Sequence, residues 1–199
     1  MNYLLIDKNP KMVTAWRSFF EGEKNVIIQQ GDLTQVLSDA IVSPANSFGF
    51  MDGGVDYAIS ERLGWGLQEI LQQKIKELPE GELMVGRAMI LETGDELIPY
   101  LISAPTMRVP MNFNIATSVN PYLAMKATLI EARKHPKIEH ISIPGFCTGV
   151  GRMLPEIAAR QMYQAFKEIE KGEKMNFADF AEAQKYHWNI NPQGMIFDY

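Results

Sequence analysis

The hydrophobic positions of this chain follow two patterns, short β-branched runs and longer stretches with helical spacing. The short runs predict strands at residues 3–6, 26–28, 40–42, 85–91, 100–103 and 140–143. Between them, apolar residues three and four positions apart predict amphipathic helices. The residues on one helical face are Met12, Val13, Trp16, Phe19 and Phe20, then Leu67, Ile70, Leu71, Ile75 and Leu78, then Ala158, Met162, Ala165, Phe166 and Ile169. This alternation predicts an α/β domain with a largely parallel sheet.

Capping signals place the helix boundaries. Asn9-Pro10 and Asn120-Pro121 each combine an N-cap residue with proline at the first helical position, and Pro155 begins the last strong helical pattern. Gly172 follows the end of that pattern. We therefore predict a single domain over residues 1–172.

Residues 173–199 form a C-terminal tail that is rich in aromatic side chains and only weakly periodic. The aromatic residues are Phe177, Phe180, Tyr186, Trp188, Phe197 and Tyr199. One interpretation is that the tail packs back on the domain. The other is that one aromatic ring lines a ligand cleft and stacks on a ring of the ligand. The sequence leaves both open.

The composition narrows the class of protein. The 199 residues are 46% hydrophobic and 22% charged, as expected for a globular protein. A net charge of −5 without a basic cluster argues against duplex nucleic acid as a partner. No apolar run approaches the length of a membrane span, the N-terminal residues lack a secretion signal, and the single Cys147 cannot form an internal disulfide. We expect a cytoplasmic protein with no membrane partner; its oligomeric state is left open.

Ligands of α/β sheets bind beyond the carboxyl ends of the strands, so the loops after the strands are the candidate sites. The first of these is Gly31-Asp32-Leu33-Thr34. The carboxylate of Asp32 can accept a hydrogen bond from an exocyclic amine such as that of adenine. The alternative is an ordinary turn, since Gly-Asp is common in turns.

The second loop runs over residues 43–56 and leads into a helical pattern. Its adjacent Gly53 and Gly54 allow a ligand to approach the backbone closely. Asn46 offers an acceptor and donors that suit sugar hydroxyls. Asp56 is a candidate for chemistry, or simply a carboxylate at a helix N-terminus.

The third loop runs over residues 144–153 and precedes the last long helix. Its Gly149-Val150-Gly151 turn predicts successive backbone amides that bind an anion, although a plain connection is the alternative. The loop is neither a Walker P-loop nor a dinucleotide fingerprint. Together the two glycine-rich loops favour a ligand that carries phosphate.

Metal and cofactor chemistry is not predicted. His135, His140 and His187 are not spaced as metal ligands, and Cys147 has no partner cysteine. A small thiol in a tight loop is more typical of packing than of a nucleophile. We expect no metal site and no cofactor.

At these three loops the sequence resembles the macro domain family, whose members bind ADP-ribose and process Appr-1''-p. The family's Gly-Asp-Ile-Thr segment is similar to residues 31–34. Its Ile-Val-Asn-Ala-Ala-Asn stretch, with the following glycines and Val-Asp, is similar to residues 41–46 and 53–56. Its Ser-Thr-Gly phosphate loop is similar to residues 147–151. The resemblance covers about residues 26–170 and implies a three-layer α/β/α fold with a central mixed, largely parallel sheet.

The resemblance also implies roles for individual residues. Asp32 would bind the adenine amine, Asn46 the distal ribose, and residues 148–151 the diphosphate. Asp56 and Asn46 are the implied catalytic pair, which places and activates a water. The implied ligand-binding residues are Asp32, Leu33, Asn46, Asp52, Gly53, Gly54, Val55, Phe146, Cys147, Thr148, Gly149, Val150, Gly151 and Arg152.

Several positions depart from the family pattern. Ser43 replaces the family's first asparagine, and Asp52 stands where hydrolytic members usually have glycine. Ser60 occupies a position where many members have histidine, and the phosphate loop continues as Arg152-Met153 without the usual aromatic. Asp52 can act as a base or repel a phosphorylated ligand, and Arg152 can offset it or contact a terminal phosphate.

The resemblance implies a protein that binds ADP-ribose or a derivative. We expect it to hydrolyse an ADP-ribosyl linkage, either protein-linked ADP-ribose or ADP-ribose 1''-phosphate. The alternative is a non-catalytic module that reads or sequesters free or cyclic ADP-ribose derivatives. An unrelated α/β nucleotide domain would require the three motif matches to be accidental.

Overall fold

The computed structural model describes residues 1–110 and 115–192. They form one six-stranded sheet with the order β2-β1-β6-β3-β5-β4. The five neighbouring strands from β2 to β5 pair in parallel, and β4 pairs antiparallel with β5 at the edge. The strands are β1 (Asn2–Asp7), β2 (Val26–Gln30), β3 (Ala40–Ser43), β4 (Met89–Glu92), β5 (Tyr100–Ser103) and β6 (His140–Ile143).

Helices connect the strands and cover both faces of the sheet. They are α1 (Pro10–Phe20), α2 (Gly54–Leu63), α3 (Gly66–Lys76), α4 (Asn120–Lys134), α5 (Pro155–Glu170) and α6 (Phe180–Ile190). The Asn9 side chain caps α1 by accepting a hydrogen bond from the Lys11 amide, and proline stands in the first turn of α1, α4 and α5. The predicted starts of α1 and α5 are therefore correct. The predicted N-cap of α4 is wrong by one residue: Val119 is the N-cap, and the Asn120 side chain, already inside the helix, donates a hydrogen bond to the Thr106 carbonyl at 2.7 Å.

Two hydrophobic cores form because successive side chains of a strand point to opposite faces. Leu5, Val42 and Ile102 lie in the core that the sheet shares with α1, α4 and α5. Their neighbours Ile6, Ile41 and Leu101 lie in the opposite core with α2 and α3. The predicted three-layer α/β/α fold with a mixed, largely parallel sheet is confirmed.

Three local predictions differ from the structure. Residues 85–88 are irregular, because Gly86 adopts a φ of +94° in a turn, so β4 begins only at Met89. Ile70 is 48% exposed, whereas Leu67, Leu71 and Ile75 form the buried stripe of α3. Helix α6 lies in the region that showed little periodicity.

Polar contacts hold α6 against the domain. The buried Glu168 of α5 accepts hydrogen bonds from the Tyr186 hydroxyl of α6 and, at 2.7 Å, from the Tyr122 hydroxyl and Lys126 Nζ of α4. Ile190 is the buried residue of α6. Because polar groups rather than an apolar stripe fix this helix, its sequence carries little helical periodicity. Phe197 and Tyr199 lie outside the described residues.

Among the described residues, no helix is both long and apolar enough to cross a membrane.

Candidate functional site

The loops after β1, β3, β5 and β6 meet at the carboxyl edge of the sheet and surround a cleft of about 340 Å³. This edge is where ligands of parallel α/β sheets bind. The lining residues, all within the described ranges, are Asp7, Asn9, Pro44, Ala45, Asn46, Phe50, Asp52, Gly53, Gly54, Val55, Asp56, Thr106, Met107, Pro110, Gly145, Cys147, Thr148, Gly149, Val150 and Gly151.

Backbone amides dominate the wall formed by residues 145–151. The carbonyl of Cys147 accepts from the Met153 amide at 3.0 Å, and that of Gly149 accepts from the Arg152 amide at 3.0 Å, so the loop closes on itself. Within the described parts of the chain, no acceptor pairs with the amides of residues 148–151. Successive amides without acceptors, in a loop that precedes a helix, are an arrangement that proteins commonly use to bind anions.

Close packing sets the shape of this wall. A Cβ on Gly145 would lie 2.7 Å from Asp7 Oδ2, which accepts the Gly145 amide at 3.0 Å. A Cβ on Gly151 would lie 2.6 Å from the carbonyl oxygen of Cys147. Both contacts are too short for a side chain, so glycine is required for close approach rather than for flexibility.

The lining segment at residues 52–56 contributes two carboxyl groups, those of Asp52 and Asp56. Asp56, in the first turn of α2, is 6% exposed and accepts a hydrogen bond from the fully buried Ser43 hydroxyl. Burial raises the pKa of Asp56 to about 7; the Ser43 hydroxyl lowers it, and the charge of Asp52 raises it further. Asp56 is therefore a carboxyl group that exchanges its proton near neutral pH within the cleft.

Asn46 shapes the loop between β3 and α2. Its Nδ2 donates to the Phe50 carbonyl at 2.7 Å, and its Oδ1 accepts from the amides of Phe48 and Phe50 at 3.1 and 3.3 Å. Asn46 lines the cleft, and its hydrogen bonds fix the position of Phe50, which also lines it.

The thiol of Cys147 is a packing group. It is 5% exposed, and its Sγ lies 3.9 Å from the Thr106 carbonyl oxygen. Burial raises the pKa of this thiol well above its ordinary value, so it stays protonated at neutral pH. A protonated, buried thiol is a poor nucleophile.

Four of the predicted binding residues do not line the cleft. Asp32 Oδ1 accepts from the Thr34 amide at 2.9 Å, and its Oδ2 pairs with Lys8 Nζ at 2.8 Å. Leu33 and Phe146 are buried in the two cores, and the exposed Arg152 follows the amide loop. The structure brings the other ten predicted binding residues together in one cleft with Asp56, which was predicted as catalytic.

Lining residues from β1 and from the β5 loop were not predicted. These are Asp7 at the end of β1 and Asn9 after it, and Thr106, Met107 and Pro110 after β5. Their position at or after the ends of strands was the available signal. Pro44, Ala45, Phe50 and Gly145 also line the cleft and stand inside motifs that were identified.

Among residues 1–110 and 115–192, no group of three or more His, Cys, Asp or Glu side chains is arranged to hold a metal ion.

The fold and its cleft define a three-layer α/β/α domain with a glycine-rich loop of backbone amides at the carboxyl edge of its sheet. The chain belongs to the Macro domain family, because the model of that family matches residues 42–162, more than half of the chain. The predicted resemblance is confirmed.

Relatives of known sequence span most of the chain. An uncharacterized protein of Aquifex aeolicus is 34% identical over 166 residues, which are 82% of this chain and 95% of that protein. An uncharacterized protein of Aeropyrum pernix is 32% identical over 145 residues, 72% of this chain and 71% of that protein.

Solved structures share the fold. The Oceanobacillus iheyensis macrodomain with ADP has a TM-score of 0.61 at 21% identity and matches 82% of this chain and 86% of its own. Thermosipho africanus DarTG in complex with ADP-ribose has a TM-score of 0.57 at 17% identity and matches 70% of this chain and 38% of its own. At these identities the likeness concerns the fold.

Proposed function

We propose that this chain binds ADP-ribose or an ADP-ribose derivative in the cleft and hydrolyses an ADP-ribosyl linkage. The linkage is either that of protein-linked ADP-ribose or that of ADP-ribose 1''-phosphate. The observation that carries the proposal is the set of amides at residues 148–151, which have no acceptor among the described residues and belong to residues that line the cleft of a Macro domain family member. Macrodomain neighbours with ADP or ADP-ribose bound support the choice of ligand.

The diphosphate occupies the amide wall. Backbone N–H groups donate hydrogen bonds to phosphate oxygens without a positively charged side chain. The acidic chain therefore binds an anionic ligand despite its net charge of −5.

Two groups of lining residues are assigned to different parts of the ligand. Asp7 and Asn9 flank Lys8 in the chain, and Lys8 pairs with Asp32, the residue that the family resemblance assigns to adenine, so the adenine is placed beside them. The distal ribose is placed beside Asn46, Asp52 and Asp56, in the loop after β3 and the first turn of α2. This orientation puts the anomeric carbon near the buried carboxyl group.

Asp56 acts as the general base. Because its pKa is raised to about 7, Asp56 has an ionised form near neutral pH, and this form accepts a proton from a water molecule as the water oxygen attacks the anomeric carbon. The bond from that carbon to the leaving group breaks, and its electron pair departs with the leaving group, which is protonated from solvent. The amide wall holds the diphosphate in place during the attack.

A non-catalytic module that reads or sequesters free or cyclic ADP-ribose derivatives is the second candidate. The geometry of Asn46 favours it, because both polar atoms of this amide are used within the loop. In such a non-catalytic module, Asn46 stabilises the conformation of the loop and does not position a water molecule.

Calorimetry with ADP-ribose tests the binding step. Gly149→Leu is the informative variant, because a Cβ at Gly149 meets no protein atom within 4 Å and so fills space that the phosphates need. We expect its affinity to fall by more than about tenfold. Gly66→Leu is the matched control, since a Cβ there is equally free and lies outside the cleft lining.

Absence of wild-type binding at millimolar ADP-ribose would refute the proposal. Equal affinity of the wild type and Gly149→Leu would show that the anion loop has been misassigned.

Incubation with a mono-ADP-ribosylated protein and with ADP-ribose 1''-phosphate distinguishes a hydrolase from a non-catalytic binding module. Release of ADP-ribose from either substrate supports the hydrolase. Binding without turnover of either substrate supports the second candidate.

A further inference from the structure

The charged side chains that line the cleft are all negative. They are Asp7, Asp52 and Asp56, and no lysine, arginine or histidine of the described residues joins them. The undescribed residues 111–114 and 193–199 contain no lysine, arginine or histidine, so every cationic side chain of the protein lies in the described part.

The three carboxylates differ in how they are neutralised. Asp7 accepts hydrogen bonds from the amides of Asn9 and Gly145 at 2.8 and 3.0 Å. Asp56 is buried and bonded to the Ser43 hydroxyl. Asp52 is exposed and forms no ion pair with any cation of the described residues.

The cations nearest to the cleft loops are used elsewhere or lie outside its lining. Lys8 pairs with Asp32 at 2.8 Å, and Arg108 pairs with Glu82 at 2.8 Å. Arg152 is exposed and does not line the cleft. The Asp52 end of the cleft therefore carries uncompensated negative charge.

We propose that Asp52 determines substrate specificity: the cleft selects ADP-ribosyl conjugates whose group on the distal ribose is uncharged or cationic, and it rejects a terminal phosphate. This inference rests on the proposed function and narrows it to one of its two linkages. The amide wall supplies donors for the diphosphate in the middle of the cleft, whereas the glycine-rich segment beside Asp52 brings a carboxylate. A phosphate monoester on the anomeric oxygen would share the cleft with that carboxylate and with no cationic lining side chain, and like charges repel.

Calorimetry at low ionic strength with ADP-ribose and with ADP-ribose 1''-phosphate tests this inference. We expect the wild type to bind ADP-ribose 1''-phosphate at least about tenfold more weakly than ADP-ribose, because one like-charge contact at intermediate dielectric has about that effect. Asp52→Asn keeps the size of the side chain and removes its charge, so it should bring the two affinities within about threefold. Raising the salt concentration should narrow the wild-type difference, since exposed charges are screened.

Glu92→Gln is the control for overall charge. Glu92 is exposed at the end of β4 and does not line the cleft, so this variant should keep the wild-type preference. Assay of free phosphate in the same samples shows whether the phosphorylated ligand stays intact.

Equal affinity of the wild type for the two ligands would overturn the inference, as would an unchanged preference in Asp52→Asn or rapid phosphate release by the wild type. A wild type that fails to bind ADP-ribose itself would instead refute the proposed function.

Discussion

The two walls of the cleft use different chemistry on either side of the same space. The wall after β6 presents backbone amides and needs glycine at Gly145 and Gly151 for close packing. The wall after β3 presents the carboxyl groups of Asp52 and Asp56. The first wall is suited to holding an anion and the second to repelling one or to moving a proton. The comparison indicates that binding and specificity are separable in this protein.

Disruption of the amide wall should have the largest effect. Gly151→Ala places a methyl group 2.6 Å from the Cys147 carbonyl oxygen, so the loop must shift. We expect the free energy of unfolding to fall by about 1–3 kcal/mol. We also expect no detectable binding of ADP-ribose at micromolar ligand concentrations. Urea unfolding and calorimetry measure the two effects.

Gly66→Ala is the matched control for the glycine variant, since a Cβ there meets no atom within 4 Å. Wild-type affinity in Gly151→Ala would contradict the idea that the backbone of this loop forms the anion site.

Removal of the buried carboxyl group should separate catalysis from binding. Asp56→Asn preserves the shape of the side chain but cannot accept a proton from water. We expect hydrolysis of protein-linked ADP-ribose to slow by about 100-fold or more, while ADP-ribose affinity changes by less than about threefold. Initial rates and calorimetry measure the two quantities, with Glu92→Gln as the control.

If ADP-ribose affinity fell together with activity, Asp56 would be a binding residue. The two walls would then no longer have separate roles in binding and catalysis.

The stability of the protein should depend on pH through Asp56. Its pKa is about 7 in the folded chain against 3.8 in the unfolded chain, so the folded state retains the proton over that range. The contribution of Asp56 to the free energy of unfolding is largest below about pH 4 and is lost as the pH rises through about 7. The free energy of unfolding of the wild type relative to Asp56→Asn should therefore fall by about 1–3 kcal/mol between pH 4 and pH 8.

Urea unfolding of both proteins across this pH range measures the difference. A difference that is constant with pH would show that Asp56 is ionised throughout.

The smallest expected change concerns the hydroxyl behind the carboxyl group. Ser43 donates to Asp56 and so favours its ionised form, and Ser43→Ala should raise the pKa of Asp56 further, by about one unit. A carboxyl-carbon titration by NMR reads this pKa directly.

Ser142→Ala is the control for the serine variant, because Ser142 is equally buried on β6. An unchanged titration of Asp56 in Ser43→Ala would show that burial alone sets its pKa.

Much of the fold could be predicted because the apolar pattern reports burial directly. The alternation of Leu5 and Ile6, or of Ile41 and Val42, between two cores is a period of two that a two-sided sheet requires. Helix α6 was not predicted because its sequence has no clear apolar stripe. The hydrogen bond from Tyr186 to Glu168 holds it against α5 instead. The strand at 85–91 was predicted too long because a turn at Gly86 interrupts an apolar run.

Site residues in glycine-rich loops could be predicted from the sequence. Site residues that reach the cleft only through the order of the strands in the sheet could not. Sequence motifs indicated Asn46, Asp56 and residues 147–151, all of which line the cleft. Asp7 is the last residue of β1, and only the pairing of β1 with β6 brings it to Gly145, 138 positions away along the chain. Asp32 was assigned to the site from its motif, but its carboxylate is bonded to Thr34 and Lys8 outside the cleft lining.

The sequence by itself determined the layered α/β architecture and the family, because hydrophobic period and loop motifs are local properties. The tertiary structure decided which charges share the cleft. Burial of Asp56 behind Ser43, and the position of Asp52 on a wall without a cation, arise from residues that converge only when β1, β3, β5 and β6 align. Electrostatic interactions depend on the distance between groups in space and on the exclusion of water, and neither can be derived from the order of the residues alone.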